Sequence, residues 1–317
     1  MTVGVAGEQV KTGGQARIAL TGATGFVGQA LLDLAVEQGL MVDALTRRGQ
    51  PRREGVIWTR GDLANRDALR EMMLGAEVVI HVAGVVNTPD PAEFVAANVS
   101  GTLAVLEAAR AAGVPRFIYV SSLSAREPAL SRYGESKARA EMLVRASGLD
   151  WTIVRPPWIY GPGDRETLDM FKAAQWGLVP VPAAGRTSLI HVADLARLLL
   201  ALIPGGEDIT FRTFEPDDGR PDGWEHGDLA RAIGAAVGRR ARVVRLPDWL
   251  MRLAARLDGT LRGRKAKLTL DRVGYMIHPD WVVGADARVP EAVWVPQVES
   301  GGGLRTTADW YRREGWL

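Results

Sequence analysis

Tyr133 and Lys137 stand four residues apart in SRYGESKARAEMLV (131–144). That spacing puts both side chains on one face of a helix, a turn apart. A phenol beside an ammonium suits one kind of chemistry. Hydride delivered to a carbonyl carbon leaves an alkoxide that must be protonated, and a free tyrosine, with a pKa of about 10, is a poor acid or base at neutral pH. A fixed positive charge and a cationic nicotinamide ring nearby favour the phenolate and bring its pKa towards the operating range, where proton transfer is most effective. Tyr133 is therefore expected to be the acid/base, with Lys137 lowering its pKa. The same spacing also fits two structural side chains, so the reading needs a cofactor site, a second donor and a pocket.

A cofactor site is legible well upstream. In ALTGATGFVGQALL (19–32) glycines stand at 22, 25 and 28, directly after an apolar run and at the opening of a helical pattern. Gly22 permits a tight turn, Gly25 lets the backbone approach a pyrophosphate, and Gly28 lets helix and strand pack closely, with the helix N-terminus facing the anion. Thr24, Phe26 and Val27 complete the loop that would hold the cofactor. The spacing is GxxGxxG rather than GxGxxG. A glycine-rich turn without a ligand is the alternative, and the strand before and helix after favour the phosphate loop.

These residues need a frame. Short apolar runs at 16–22, 41–46, 55–60, 76–84, 116–122 and 150–157 read as strands, and helical patterns lie at 26–38, 65–74, 91–112 and 131–147. Val/Ile-rich strands alternating with helices predict an α/β fold, a doubly wound parallel sheet covered on both faces. Beyond Gly161 the alternation breaks into Pro- and Gly-rich stretches, and a helix at 193–203 returns to the first domain. The expected organisation is a flexible lead-in over 1–15 and a Rossmann-type NAD(P)-binding domain over 16–203, with a substrate-loop excursion at 161–187. A smaller C-terminal substrate-binding lobe follows over 204–317.

TGATGFVG followed by YGESK resembles the extended short-chain dehydrogenase/reductase family, from about Ala16 to Asp194 and more weakly to the C-terminus. Relatives of this build include 3β-hydroxysteroid dehydrogenases, the dinucleotide-binding accessory subunit of respiratory complex I and bacterial ceramide reductases. The resemblance implies a nicotinamide dinucleotide on the glycine loop. NAD-preferring relatives end the second strand with an acidic residue. Here Thr46 stands at that place with Arg47 and Arg48 behind it, which can clamp a 2′-phosphate. NADP is the expected cofactor, with NAD left open and solvated arginines as the alternative. By the same resemblance Asp62 and Leu63 meet the adenine, and HVAG (81–84) lines the nicotinamide ribose through Ala83 and Gly84, His81 being structural. Pro156 lies near the nicotinamide, and Tyr133 and Lys137 also touch the cofactor. In YVSSLSA (119–125) the matching catalytic serine is Ser122, the oxyanion donor, with Ser121 and Ser124 as other registers. Asn98 matches the asparagine that bends its helix and holds a relay water, and Asp194 reads as a helix-start cap. Tyr133 follows Ser122 by only eleven positions. The family's sugar-nucleotide epimerases have a longer excursion there, which counts against sugar recognition, and Leu123 and Ser124, where dehydratases need an acid, count against dehydration.

Bulk properties narrow the classes further. The chain has 317 residues, 47% hydrophobic and 24% charged, with a net charge of +2; nothing in this balance calls for nucleic acid. There are no cysteines and four scattered histidines, so neither a disulfide nor a metal site is expected. The N-terminus has no basic region followed by an apolar run, no apolar run reaches the about 18 residues of a membrane span, and the expected location is the cytoplasm. One segment is unusual: 239–267 carries ten Lys/Arg against two Asp, with Trp249, Leu253, Leu257 and Leu261 recurring every four residues. Two readings stay open: a lobe helix packing its leucines against the pocket, or a basic amphipathic helix making peripheral membrane contact through 245–267. The reading is an NADP-dependent oxidoreductase interconverting keto and hydroxyl groups on a small hydrophobic, lipid-like substrate such as a keto-sphingolipid or sterol. A homodimer through the helices of Asn98 and Tyr133 is what the resemblance implies. The rivals are a sugar-nucleotide epimerase that retains NAD and a non-catalytic NAD(P)-binding sensor or assembly subunit.

Overall fold

A computed structural model describes residues 16–317, and the lead-in expected at 1–15 lies outside the described residues. The first half alternates as expected: β1 (Arg17–Thr21), α1 (Phe26–Glu37), β2 (Met41–Thr46), β3 (Val56–Arg60), α2 (Arg66–Met73), β4 (Val78–His81), α3 (Pro91–Phe94), α4 (Gly101–Ala111), β5 (Arg116–Val120), α5 (Arg132–Arg145) and β6 (Asp150–Val154). β4 and β5 are buried along their whole length, which requires cover on both faces. On one face α1 supplies Leu31 and Leu32 against Leu20, Ile80 and Val120. On the other, Met72 from α2, Val105 from α4 and Val144 from α5 pack on Val79, Phe117 and Ile153.

The sequence pattern missed two local features here. The helix expected over 91–112 is interrupted by a π-helical turn, Val95–Ser100, and the span from Ser122 to Tyr133 is filled by two 3₁₀ turns, Leu123–Arg126 and Pro128–Leu130.

Next come β7 (Trp158–Tyr160), α6 (Leu168–Gln175), β8 (Leu178–Pro182), β9 (Arg186–Thr187), β10 (Leu189–His191), α7 (Val192–Ala201) and β11 (Arg212–Phe214). α7 returns to α1 through Leu195, Leu198 and Leu199. β11 pairs in parallel with β6 and completes a seven-stranded sheet of order β11-β6-β5-β4-β1-β2-β3. The sheet therefore draws its last strand from beyond residue 203; a three-residue strand after Pro204, Gly205 and Gly206 is too short to read from pattern. The strand order turns back between β1 and β4, which opens a crevice at their carboxyl ends.

Asp194 is buried in the first turn of α7 but does not cap it. His191 does, its Nδ1 accepting from Ala193 N at 3.2 Å. Asp194 instead accepts from Gln297 N (2.8 Å) and Val298 N (3.0 Å), tying down the distant C-terminal segment.

The remaining elements are β12 (Trp224–Glu225), α8 (His226–Ala236), β13 (Arg242–Leu246), α9 (Asp248–Arg262), α10 (Leu270–Met276), β14 (Asp280–Trp281) and α11 (Ser300–Arg313). α6, α8 and α11 share a core around Phe171, Ile233 and Tyr311, and β13 pairs in parallel with β8. α9 turns Met251 and Ala255 inward onto Val273 of α10. Its Trp249, Leu253, Leu257 and Leu261 all face solvent, so the reading in which those leucines pack against the pocket is overturned. The inward face is carried by a smaller pair on the opposite side of the helix. No described helix is long and apolar enough to cross a membrane.

Candidate active site

A cavity of about 1450 Å³ runs along the carboxyl edge of the sheet and under the smaller lobe. It exceeds the roughly 300–1,000 Å³ of ordinary small-molecule sites, leaving room for a dinucleotide and a second ligand.

At one end lies the glycine loop. Gly22 has φ +78°, and a Cβ there would lie 2.7 Å from Ala83 N; a Cβ at Gly28 would lie 2.0 Å from Gly22 O. Neither position accepts a side chain. Gly25 is the N-cap of α1 and no side chain caps that helix, whereas Asn65, Ser131 and His191 cap α2, α5 and α7. The uncapped first turn, with Thr24, Phe26 and Val27, lines the cavity, so its amide hydrogens are offered to whatever anion lies there. These residues fit a dinucleotide pyrophosphate. Asp62 and Leu63 line the same end; one Asp62 oxygen accepts from Ala64 N (2.9 Å) and Asn65 N (3.1 Å), and the other is left over. Arg47 and Arg48 are both exposed, and of the two Arg47 lines the cavity. Thr46 closes the strand end by donating to Arg48 O at 2.8 Å. The acid of β2, Asp43, is buried and paired with Arg17.

Ala83, Gly84, Ser122, Tyr133 and Pro156 line the middle. Ser122 caps the turn after β5, its Oγ accepting from Ser124 N (3.2 Å) and Ser124 Oγ (2.9 Å). Ser124 also reaches the cavity, but Ser121 points away and donates to Glu141 Oε1 at 2.6 Å. Two of the three serine registers thus reach Tyr133's side of the chain.

Tyr133 sits in the first turn of α5 and is 8% exposed. Ser131 Oγ caps that helix by accepting from Gly134 N at 2.9 Å, and Asp271 of α10 accepts from Arg132 N (2.5 Å) and Tyr133 N (3.3 Å). Burial pushes the Tyr133 phenol up, a hydrogen bond with Ser122 works against this, and neighbouring Tyr275 adds to the rise. The expected lowering by Lys137 is not what the protein's own groups produce. Lys137 is buried, and its Nζ donates to Val120 O (2.8 Å) and Tyr119 OH (3.3 Å). Its hydrogen bonds thus go to β5 rather than to the phenol. Desolvation lowers its pKa to about 8, with Glu141 working in the opposite direction. A Cβ at Gly84 would lie 3.5 Å from this nitrogen, so the ammonium underlies the cavity floor without joining its lining.

Asn98 occupies the π-helical turn and is also behind the lining. Its Oδ1 accepts from Val85 N (2.8 Å), and its Nδ2 donates to Val85 O (2.9 Å) and Ser136 Oγ (2.9 Å). Both amide hydrogens are in use, so the side chain clamps the HVAG loop to α5. Its carbonyl accepts from Thr102 Oγ1 at 2.7 Å. His81 joins Thr21 (2.6 Å) to Thr102 (2.9 Å), and burial lowers its pKa to about 3, with Lys137 second. It is neutral across working pH.

Sequence reasoning missed a row of charges behind the site. Glu141, one turn beyond Lys137, accepts from Arg155 Nε (2.8 Å) and Nη2 (2.7 Å) as well as from Ser121. Arg155 also reaches Glu215 at 3.4 Å, and Arg126 reaches it at 3.5 Å. The available signals were Glu141 at helical spacing from Lys137 and Arg155 beside Pro156. Also missed was α10, whose Tyr275 ring lies 6.1 Å from that of Tyr133. Beyond it the cavity is walled by Trp158, Trp281, Trp310 and Trp316, with Met170 and Met276, and the pair Arg272–Glu166.

The family model "NAD dependent epimerase/dehydratase family" matches residues 18–210. The chain is 39% identical over 311 residues to the ceramide reductase of Caulobacter vibrioides (strain NA1000 / CB15N), covering 95% of this chain and 96% of that one. It is 33% identical over 278 residues to the 4-hydroxy-2-methyl-3-oxo-4-farnesyl-3,4-dihydroquinoline-1-oxide ketoreductase of Stigmatella aurantiaca, covering 77% and 80%. The solved structure of MoeE5 in complex with UDP-glucose and NAD is similar in fold, with a TM-score of 0.73 at 23% identity over 94% of this chain and 99% of that one.

Proposed function

The chain belongs to the NAD dependent epimerase/dehydratase family and is an NAD(P)-dependent enzyme of the extended short-chain dehydrogenase/reductase type; from that premise we propose that it reduces the keto group of a hydrophobic, lipid-like substrate with NADPH. The observation that carries this reading is the buried Tyr133 phenol, which shares the cavity lining with Ser122 where the glycine-loop cleft meets an indole-walled pocket. A nicotinamide dinucleotide held on the glycine loop (Gly22, Gly25, Gly28) would supply hydride chemistry at the carbonyl carbon. Ser122 donates a hydrogen bond to the carbonyl oxygen as negative charge develops there. Tyr133 gives its proton to that oxygen, which suits a phenol held protonated by burial. Lys137, fixed on Val120 O, stabilises the phenolate left behind, and Asn98 holds the loop against which the proton path is built.

The names of the two relatives, a ceramide reductase and a farnesyl-quinoline ketoreductase, support a lipid-like ketone, as do the tryptophan walls. Arg47 on the cavity lining, with no acid at the end of β2, supports NADP over NAD. A membrane-derived substrate fits peripheral contact through 245–267. Exposed Leu103 on α4 and Met142 on α5 support a homodimer.

The test is turnover of keto-ceramides, steroids and UDP-sugars with NADPH and NADH, in wild type and Tyr133→Phe. Keto-lipid reduction with NADPH should fall by about 10²- to 10⁴-fold in the variant while NADPH binding stays within twofold. Loss of nucleotide binding in that variant would count against the role given to Tyr133. Tightly retained NAD with UDP-sugar epimerisation would favour the epimerase reading instead.

A further inference from the structure

We propose that the outward face of α9 docks on an anionic phospholipid bilayer, and that the cavity takes its substrate across the α9–α10 edge. The proposal rests on the reading of a lipid-like substrate and names the surface that delivers it.

The face is apolar where a soluble helix should be polar. Trp249 is 66% exposed and Leu261 83%, with Leu253 and Leu257 exposed between them. Arg252 and Arg256 run along one edge of this stripe. Neither has a carboxylate within ion-pair reach among the described residues, and the same holds for Arg239 and Arg240 before β13, for Arg242 at its start and for Lys265 beyond α9. An apolar stripe edged by free cations is the arrangement that lies in the interface of an anionic membrane: the indole and leucines enter the headgroup boundary and the guanidinium groups pair with phosphates. A second apolar outcrop lies at the strand pair that leads into α9. Trp176 and Leu178 are exposed, and Val244 is exposed beside Pro180 on the paired strands β8 and β13. β13 then leads through Pro247 directly into α9.

Charge argues against the other occupants. In a twofold contact of α9 with a second copy, Arg252 and Arg256 would face their own counterparts, with no acid on the stripe to offset them. Asp248 and Asp258 are the helix's only acids, and Asp258 is engaged by Lys267 N, Leu268 N and Arg262.

The surface is also joined to the chemistry. Met251 and Ala255 on the inner side of α9 pack on Val273 of α10. α10 presents Arg272, Tyr275 and Met276 to the cavity, and Met276 also packs on the Met251–Ala255–Val273 cluster. Its Asp271 holds the amides of Arg132 and Tyr133, and Gly274 brings its backbone against Leu130, where a Cβ would lie 2.3 Å from the Leu130 oxygen. One helix thus separates the docking face from Tyr133, and Pro180, exposed on the surface, lines the cavity as well.

The experiment is co-sedimentation of the full chain with vesicles of phosphatidylcholine alone and of phosphatidylcholine with phosphatidylglycerol, for wild type, Leu253→Glu/Leu257→Glu and Arg252→Ser/Arg256→Ser. Wild type should bind the anionic vesicles only. The arginine pair should lose about fivefold in affinity per charge removed, and the leucine pair at least tenfold. NADPH-dependent reduction of a short-chain, water-soluble ketone should stay within twofold in both variants, and reduction of vesicle-embedded substrate should fall in parallel with binding. Vesicle binding equal in all three proteins, or absent in wild type, overturns the docking surface. So does a dimer that the leucine variant converts to monomer while vesicle binding is unchanged. Docking without turnover of any ketone would leave the surface standing and sink the substrate reading, so the two failures are separable.

Discussion

Two side chains near the site carry charges whose surroundings make measurable demands. Arg47 reaches the cavity at the end of β2 and Arg48 does not. Arg47→Ala should therefore weaken NADPH binding by about tenfold, the lower end of the about 1.5–3 kcal/mol of a charge-assisted hydrogen bond as suits an exposed side chain, and leave NADH binding within twofold. Titration of nucleotide fluorescence distinguishes this from Arg48→Ala, which should leave the binding of both nucleotides within twofold. Lys137 gives a pH signature. Its pKa in the folded protein is lowered to about 8 from 10.5, so between those values the unfolded chain binds the extra proton. Stability from this group rises with pH across that window, by at most about 1.4 kcal/mol per unit, and the cost of the buried ammonium is fully present below pH 8. Urea unfolding should show wild type gaining on Lys137→Met as pH is raised from 8 to 10. The rate of the reductive step should move the opposite way, falling through about pH 8 as the ammonium that steadies the phenolate is lost. A flat profile in both measurements would show that Lys137 does not titrate there.

At the scale of elements, Glu141 clamps the end of β5 through Ser121, the end of β6 through Arg155 and, by way of Arg155, Glu215 beyond β11. Removing it leaves the half-buried Arg155 guanidinium with Glu215 alone. Glu141→Ala should cost about 3–5 kcal/mol, read from the urea midpoint, and Ser121→Ala much less, since only one neutral donor is lost. This clamp marks the boundary of what the sequence made legible. Strand and helix order were readable because apolar runs and 3.6-residue periods are local, and the glycine loop because Gly22 and Gly28 exclude any side chain. Tyr133 and Ser122 could be brought together from motif order. The direction of a buried charge is not local: Lys137 turns to Val120 and Tyr119 because the strand end offers acceptors, and nothing in YGESK says so. The π-helical turn at Asn98 was hidden from the apolar pattern, which one extra residue in a turn leaves almost unchanged; only the family resemblance, in which this asparagine bends its helix, pointed to it.

At the scale of the molecule, the last segment of the chain is held by an acid near its middle. Asp194 accepts from Gln297 N and Val298 N, just ahead of α11, whose Trp310 lines the cavity and whose Tyr311 donates to Asp164 O at 2.7 Å. Asp194→Ala leaves two amides unpaired and should cost about 2–4 kcal/mol, seen as a lower Tm, and should weaken substrate binding more than nucleotide binding because the wall it anchors is the tryptophan wall. Sequence alone assigned this residue to its own helix, where it does pair with Arg197, but a cap is the local use of an aspartate and its two backbone partners lie a hundred residues away. The tryptophan wall has a further consequence. Trp158, Trp281, Trp310 and Trp316 surround the chamber that receives the ligands, and a reduced dihydropyridine absorbs light at the wavelengths where indoles emit. The protein thus contains its own optical reporter. Entry of the reduced coenzyme should quench the intrinsic emission by energy transfer, oxidation should restore it, and a single turnover can be followed in real time without any attached dye.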